Sequence, residues 1–186
     1  TIKFLLSQYD LDIFDAYLAD IHGGQMVAFV SHSNKYEKSQ RLNDLEREEE
    51  LSRCNSIDAY RKFAHDIEAL KKDNIDYLNT AKNNNKTIYG MGAPVKGNTL
   101  LNYFDIGTDY IDCLLEKNTL RENLYSPGKH IPVYMEDKMH TVPDIYYVLA
   151  WNFKKEILEN NQKLINSGVE FYFVLLCFFC FGCQQQ

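Results

Sequence analysis

The densest candidate chemistry in this 186-residue chain is the run Tyr89-Gly90-Met91-Gly92-Ala93-Pro94-Val95-Lys96-Gly97-Asn98-Thr99. It falls between a short β-forming stretch and a helix-forming one. A Gly-rich turn that opens a helix aims backbone N–H groups and the positive end of the helix dipole at one point, which favours an anion. Lys96 adds a full positive charge to the same place. The spacing Gly-x-Gly-x-x-x-x-Gly, with the lysine ahead of Gly97, matches neither the dinucleotide fingerprint nor the phosphate loop Gly-x-x-x-x-Gly-Lys-Ser/Thr. Two readings therefore stand: a phosphate cradle, or glycines that only permit a tight turn and close helix packing.

Other residues fall where such a site would recruit them. Glu116 closes the next β-forming run, about 20 residues after the helix begins, where an acid can accept a ribose hydroxyl; an exposed strand-end acid is the alternative. Asn102 and Asn118 are either nucleotide contacts or helix-surface and turn amides. The segment Tyr125-Ser126-Pro127-Gly128-Lys129-His130-Ile131-Pro132 is a turn carrying a cation and an imidazole. We expect it among the ligand loops at the carboxyl ends of the strands. His130 there either meets a phosphate, shuttles a proton or is an ordinary loop histidine. Trp151 and Asn152 follow an apolar strand, so the indole either stacks on a base or sugar or fills the core. Among candidate bases only His22 and His130 stand out. Cys177-x-x-Cys180-x-x-Cys183 lacks a fourth cysteine, so no metal site is expected, and neither Gly-x-Ser-x-Gly nor His-Glu-x-x-His occurs.

These residues need a scaffold, and the pattern around them supplies one. All four prolines lie between Pro94 and Pro143, leaving the first half free to be helical. Residues 1–34 read as a lead-in: a short helix through Phe4 and Leu5, strands around Leu11 to Leu18 and Met26 to Val30, and a hairpin turn at His22-Gly23-Gly24. Residues 35–85 form a helical segment. One helix covers Arg41 to Arg53, its Glu46-Arg47-Glu48-Glu49-Glu50 run a solvated face, and a long amphipathic helix runs from Ile57 to Ala81 behind a cap at Ser56.

From 86 to 176, β-forming and helical runs alternate. The expected strands are Lys86 to Tyr89, Tyr110 to Leu115, Ile131 to Tyr134, Ile145 to Ala150 and Glu170 to Leu176; the expected helices are Gly97 to Phe104 and Phe153 to Asn166. Near-continuous apolar strands separated by helices predict an α/β fold, a Rossmann-like parallel sheet with helices on both faces. Residues 177–186 form an atypical Cys/Phe/Gln tail.

Composition narrows the partners. Lys plus Arg is 20 and Asp plus Glu is 26, giving a formal charge of −6, which argues against a nucleic-acid backbone binder. The apolar run from Phe171 to Cys183 is too short to span a membrane, and the start at Thr1 has no signal-peptide pattern. Five cysteines, three of them in the last ten residues, are not a secreted disulfide framework, so a cytoplasmic location is expected. The missing initiator Met suggests a fragment.

Taken in order, Ile21-His22-Gly23-Gly24, Ile88 to Tyr103, Tyr125 to Val133, Pro143-Asp144 and Ala150-Trp151-Asn152-Phe153 with Glu156-Ile157 resemble the C-terminal domain of SAM-dependent sugar C-methyltransferases, over roughly residues 2–174. The resemblance implies a three-part enzyme: a zinc-binding N-terminal domain, a central S-adenosylmethionine domain and this domain, which helps to hold a nucleotide-linked deoxysugar. A base takes a proton beside the sugar ketone and the enolate attacks the methyl donor. It also implies that the nucleotide phosphates lie against Gly90, Gly92, Ala93, Pro94, Lys96, Gly97, Asn98 and Thr99, with Asn102 beside them. The zinc and S-adenosylmethionine domains would precede Thr1, so the chain alone is expected to hold no cofactor and to be inactive. Gln25, Glu116 and Thr119 stand where the family usually has Ser, Asp and Pro. Two other readings are a nucleotide- or NAD-binding module without catalysis, and a dimerisation domain built on the long helix.

Overall fold

A computed structural model of the chain describes residues 1–19 and 24–174. His22 and Gly23 of the hairpin turn expected from sequence, and the cysteines at 177, 180 and 183, lie outside the described residues. The chain forms two compact units, divided at Asp66 and Ile67.

In the first unit α1 (Ile2–Ser7) leads into an antiparallel pair, β1 (Leu11–Ala19) and β2 (Gln25–His32), with a bulge between Ile13 and Asp15. A two-stranded sheet is marginal alone and needs a packed face. Here Ile13 and Ala16 are buried with Leu42 of α2 (Gln40–Ser52), flanked by Leu6, Ala28 and Leu45. Ser39 caps α2 by accepting the Leu42 N–H at 3.1 Å and donates to Asp15 at 2.6 Å, so one hydroxyl both starts the helix and ties it to β1. The acidic face is solvated as expected, except that Glu46 accepts from Lys3 at 2.8 Å and Lys38 at 3.0 Å.

The long helix forms as the apolar spacing predicts. It is α3 (Ile57–Asn83), with Ser56 Oγ accepting the Ala59 N–H at 3.2 Å. From Ile67 onward it belongs to the second unit and buries Asn74, Leu78 and Ala81.

That unit is built on a five-stranded, fully parallel sheet in the order β5-β4-β3-β6-β7, formed by β3 (Ile88–Met91), β4 (Cys113–Glu116), β5 (Val133–Met135), β6 (Ile145–Val148) and β7 (Glu170–Phe173). Successive side chains alternate between faces. Ile88, Leu114, Val133, Ile145 and Tyr147 pack on one side with α3 and with α4 (Val95–Phe104), which contributes Leu101 and Phe104. Met91, Cys113, Leu115, Tyr146 and Val148 pack on the other, toward Ile157 and Leu158 of α5 (Lys154–Asn160) and Leu164 of α6 (Gln162–Asn166). The Rossmann-like sheet with helices on both faces is thus present. Complete burial of side chains such as Leu101, Phe104 and Leu114 stabilises the fold by roughly 1.5–3 kcal/mol each.

Several bounds differ from expectation: β4 begins at Cys113 rather than Tyr110, β5 at Val133 rather than Ile131, β6 ends at Val148 rather than Ala150, and α4 begins at Val95 rather than Gly97. The first strand begins at Ile88 rather than Lys86, because Thr87 is engaged by Asp144: its N–H and hydroxyl lie 2.8 and 2.9 Å from the carboxylate. The single helix expected over Phe153 to Asn166 is instead a 3-10 turn at Trp151–Phe153 followed by α5 and α6, broken at Asn161. The Asn161 side chain donates to the Ile157 carbonyl at 2.8 Å, the local competition that makes Asn a poor helix-interior residue.

Candidate functional site at the carboxyl edge of the sheet

The strand order reverses between β3 and β6: the chain moves outward from β3 through β4 to β5, then returns to β6 on the other side of β3. Open α/β sheets bind ligands at such a point, outside the carboxyl ends of the strands. The Gly-rich turn leaves β3 there. Gly92 has φ +83°, and a Cβ on it would lie 3.1 Å from the Ala150 Cβ, so the turns after β3 and β6 touch. Gly97 lets α4 lie close against β6, since its added Cβ would come within 2.9 Å of the Leu149 Cβ and 3.2 Å of the Pro94 Cγ. Pro94 occupies the cap position with no side-chain acceptor, so α4 begins without a carboxylate or hydroxyl over its first amides.

The turn itself spends its first donors internally. The Gly92 N–H bonds the Leu115 carbonyl at 2.8 Å and the Ala93 N–H bonds Glu116 Oε2 at 3.2 Å. The N–H groups of Gly92 and Ala93 are therefore already taken by the protein.

Glu116 is the best-connected group of this edge. Its Oε1 accepts the N–H groups of Lys117 (2.8 Å) and Asn118 (3.2 Å), and its Oε2 accepts from Ala93 and from Arg121 Nη1 at 2.7 Å. Those four donors fill the roughly four acceptor positions of a carboxylate. Burial pushes the Glu116 carboxyl up, but the hydrogen bonds from Asn118, Lys117, Arg121 and Ala93 outweigh it and hold it below its ordinary value. Arg121 was not singled out in the sequence. It returns to Glu116 because Asn118 caps a 3-10 turn at Thr119–Arg121, its Oδ1 accepting the Leu120 N–H at 3.1 Å. The only signal for it was an Asn followed by a short turn ending in a cation, five residues after the acid.

Beside this brace a cleft of about 270 Å³ opens. Met91, Gly92, Leu115, Ala150, Phe153 and Ile157 give it an apolar lining. Its polar groups are Glu116, Lys117, Glu136, Glu156, Asn160 and Asn161. A second hollow continues from it along Thr119, Met135 and Asp137. Of the residues singled out from sequence, Gly92 and Glu116 line the cleft.

The others are distributed around it. Ala93, Pro94, Lys96, Gly97, Asn98 and Thr99 form the turn and the start of α4; Thr99 donates to the Val95 carbonyl at 3.3 Å, and no protein donor reaches the buried Asn98 Oδ1. Gly90 lies inside β3, where an added Cβ would meet Leu114 Cδ2 at 2.3 Å, so it serves strand packing. Trp151 packs against the cluster beneath α5 and α6, and Asn152 follows it in the 3-10 turn.

Asn102 and His130 belong elsewhere. The segment Tyr125 to Pro132 immediately precedes β5, so it lies at the amino ends of the strands, not at the carboxyl ends as expected. It is anchored to the far end of α4: Asn102 donates to the Pro127 carbonyl at 2.9 Å, and Lys129 pairs with Asp105 at the C-cap. His130 there has φ +54°, and its N–H bonds the Ser126 carbonyl at 3.0 Å. The parallel topology separates both residues from the Gly92 turn by the length of α4.

Cys113 offers no nucleophile, since burial pushes its thiol up to about 12. Among the described residues no three His, Cys, Asp or Glu side chains come together to hold a metal ion, and no helix is long and apolar enough to cross a membrane.

Residues 20–175 match the family described as the C-methyltransferase C-terminal domain. A curated relative, the C-methyltransferase NovU of Streptomyces niveus, is 29% identical over 169 residues, which cover 90% of this chain and 40% of that protein. The chain thus spans about two fifths of the length of the relative it matches. With its family match running from the residues just after β1 through β2, the long helix and the entire parallel sheet, this chain belongs to the C-methyltransferase C-terminal domain family.

Proposed function

We propose that this chain is the nucleotide-sugar-holding part of an S-adenosylmethionine-dependent C-methyltransferase, whose substrate is a nucleoside diphosphate ketodeoxysugar methylated at the carbon beside its ketone. The observation that carries the reading is the junction of three features at the strand-order reversal: the Gly92 turn, the uncapped start of α4 and Lys96. Positive potential fixed at one point suits a diphosphate, and the neighbouring cleft, apolar with carboxylate and amide walls, suits a hydroxyl-bearing ring.

In this reading residues 1–34 lead in from a methyltransferase domain, residues 86–176 hold the substrate and the reaction is cytoplasmic. Proton removal beside the ketone leaves an enolate, and its carbon takes the methyl group. The residues of the second unit do not fit S-adenosylmethionine in the Rossmann manner, because the strand-end acceptor its ribose would need, Glu116, is filled by four protein N–H groups. We therefore place the methyl donor in another part of the protein, and expect no methyl transfer by this chain alone. His130, at the opposite edge of the sheet, is not assigned as the base.

Calorimetric titration with dTDP, UDP, NAD and S-adenosylmethionine tests the reading. A nucleoside diphosphate should bind selectively, and Lys96→Ala should weaken it about tenfold with the fold intact. Unchanged affinity in the folded variant would remove Lys96 from the phosphate site, and binding of NAD alone would replace the substrate-holding role with that of a dinucleotide module.

A further inference from the structure

The Gly92 turn is held by a residue that neither the family match nor the sequence motifs single out. Arg121 Nη1 donates to the Ala93 carbonyl at 2.5 Å and to Glu116 Oε2 at 2.7 Å, while the same carboxylate oxygen accepts the Ala93 N–H at 3.2 Å. The Ala93 N–H and carbonyl are therefore both fastened to one ion pair. Its members come from the end of β4 and the turn after it, so the pair welds the β3 exit to the β4 exit. The guanidinium side chain is 37% exposed and the Glu116 side chain 14%, so the pair stands between solvent and interior, where a charge-assisted hydrogen bond keeps much of its strength.

We propose that Arg121 is a positioning residue: it converts Glu116 from a ligand acceptor into a brace that fixes the Gly92-Ala93-Pro94 turn, and with it the direction in which α4 presents its first amides. The proposal rests on the reading of this edge as the nucleotide site. A carboxylate with all its acceptor positions filled by protein donors has no position left for a ribose hydroxyl. A turn held at both its N–H and its carbonyl does not need a ligand to give it shape, and a preformed site binds without the ordering cost that a loose one incurs. The flanking residues agree with this role. Asn118 sets the 3-10 turn that carries Arg121 back, and Lys117 and Asn118 give Glu116 its other two N–H donors.

The test measures the turn and the ligand separately in the whole chain. Arg121→Met, Arg121→Lys and, as a control on the same turn, Leu120→Ala at an 84% exposed position are each titrated with dTDP or UDP. Amide hydrogen exchange at Ala93 is followed by NMR alongside the global unfolding midpoint. We expect Arg121→Met to speed exchange at Ala93 about tenfold and to weaken nucleoside diphosphate binding about tenfold at a nearly unchanged unfolding midpoint, with Arg121→Lys recovering part of both and Leu120→Ala neither. Unchanged exchange at Ala93 in Arg121→Met would overturn the brace, as would acceleration that merely follows a fall in global stability. If the wild-type chain binds no nucleotide, the functional reading fails, and the exchange measurement still decides whether Arg121 holds the turn.

Discussion

The two edges of the parallel sheet use the same chemistry to different ends. At the amino edge, the aspartates just ahead of β4 and β6 reach across to the start of β3. Asp112 accepts the Ile88 N–H at 3.0 Å and pairs with Lys82 at 3.2 Å; Asp144 accepts the Thr87 N–H and hydroxyl and pairs with Lys86 at 3.0 Å. The loop from Tyr125 to Pro132 is bound to the end of α4 at the same edge. At the carboxyl edge Glu116 plays the corresponding part for the turn after β3, yet the cleft beside it stays open, with Glu136, Glu156 and Asn160 on its walls. A carboxylate that takes a neighbouring strand's amide closes one edge and shapes a cavity at the other. What distinguishes them is topology: helices return to the amino edge and loops remain at the carboxyl edge.

One glycine at each edge turns that contrast into an experiment. Gly97→Val should have the largest effect. Its Cβ would come within 2.9 Å of the Leu149 Cβ, an atom fixed to the buried backbone just past β6 that cannot swing aside, so α4 must move. A loss of about 3 kcal/mol in denaturant unfolding is expected, together with loss of nucleotide binding. Gly128→Ala comes next. The glycine has φ +83°, and the new Cβ would stand 1.9 Å from Asn102 Oδ1, displacing the amide that bonds Pro127. Stability should fall by about 2 kcal/mol while nucleotide affinity in the folded fraction stays as it was. Affinity lost in Gly128→Ala would show that the edges are not functionally separate.

The sequence carried the sheet better than the site, for a physical reason. Burial writes itself into local pattern, so Ile145 to Ala150 read as a buried strand and the spacing from Ile57 to Ala81 as a helix; both formed, the strand ending two residues early at Val148. The Gly92 turn was equally legible, since φ +83° and contact with Ala150 need a residue without a side chain. The cleft was not. Glu136, in a 3-10 turn after β5, reaches Glu116 through the pairing of β5 with β4, whereas Glu156 and Asn160 come from α5, and only the return of the chain across β3 brings them there. The same folding back moved Asn102 and His130 away, because in a parallel sheet the loop before a strand and the turn after one lie at opposite edges. Arg121 was missed because its partner is five residues away through a capped turn that no periodicity announces.

A third prediction concerns acid. Hydrogen bonds from Thr87 N–H and Lys86, then from the Thr87 hydroxyl, lower the Asp144 carboxyl to about 2. In the unfolded chain it titrates near 3.9, roughly. A depressed folded value means that the stabilisation is complete above about pH 4 and is lost as pH falls from about 4 to about 2. Asp144→Asn should therefore lower stability at neutral pH and flatten the fall of the melting temperature across that window. It should not abolish the fall, because Glu116 at the other edge is also held below its ordinary value. A melting profile as steep as that of the wild type would mean that Asp144 does not staple the amino edge.

The smallest effect should come from His130→Asn, and it tests the contrast most directly. Asn tolerates the left-handed conformation that His130 adopts at φ +54°, and the backbone N–H that bonds the Ser126 carbonyl is retained, so the turn keeps its shape. A histidine that met a phosphate would give up a charge-assisted contact on this change, worth about tenfold in affinity. One anchored beyond the far end of α4 gives up nothing to a ligand at the Gly92 turn. Titration of nucleoside diphosphate should thus return the wild-type affinity within about twofold. A tenfold loss would mean that the ligand extends along α4 from the carboxyl edge to the amino edge. In that event the Tyr125 to Pro132 loop, and not only the Gly92 turn, would belong to the site.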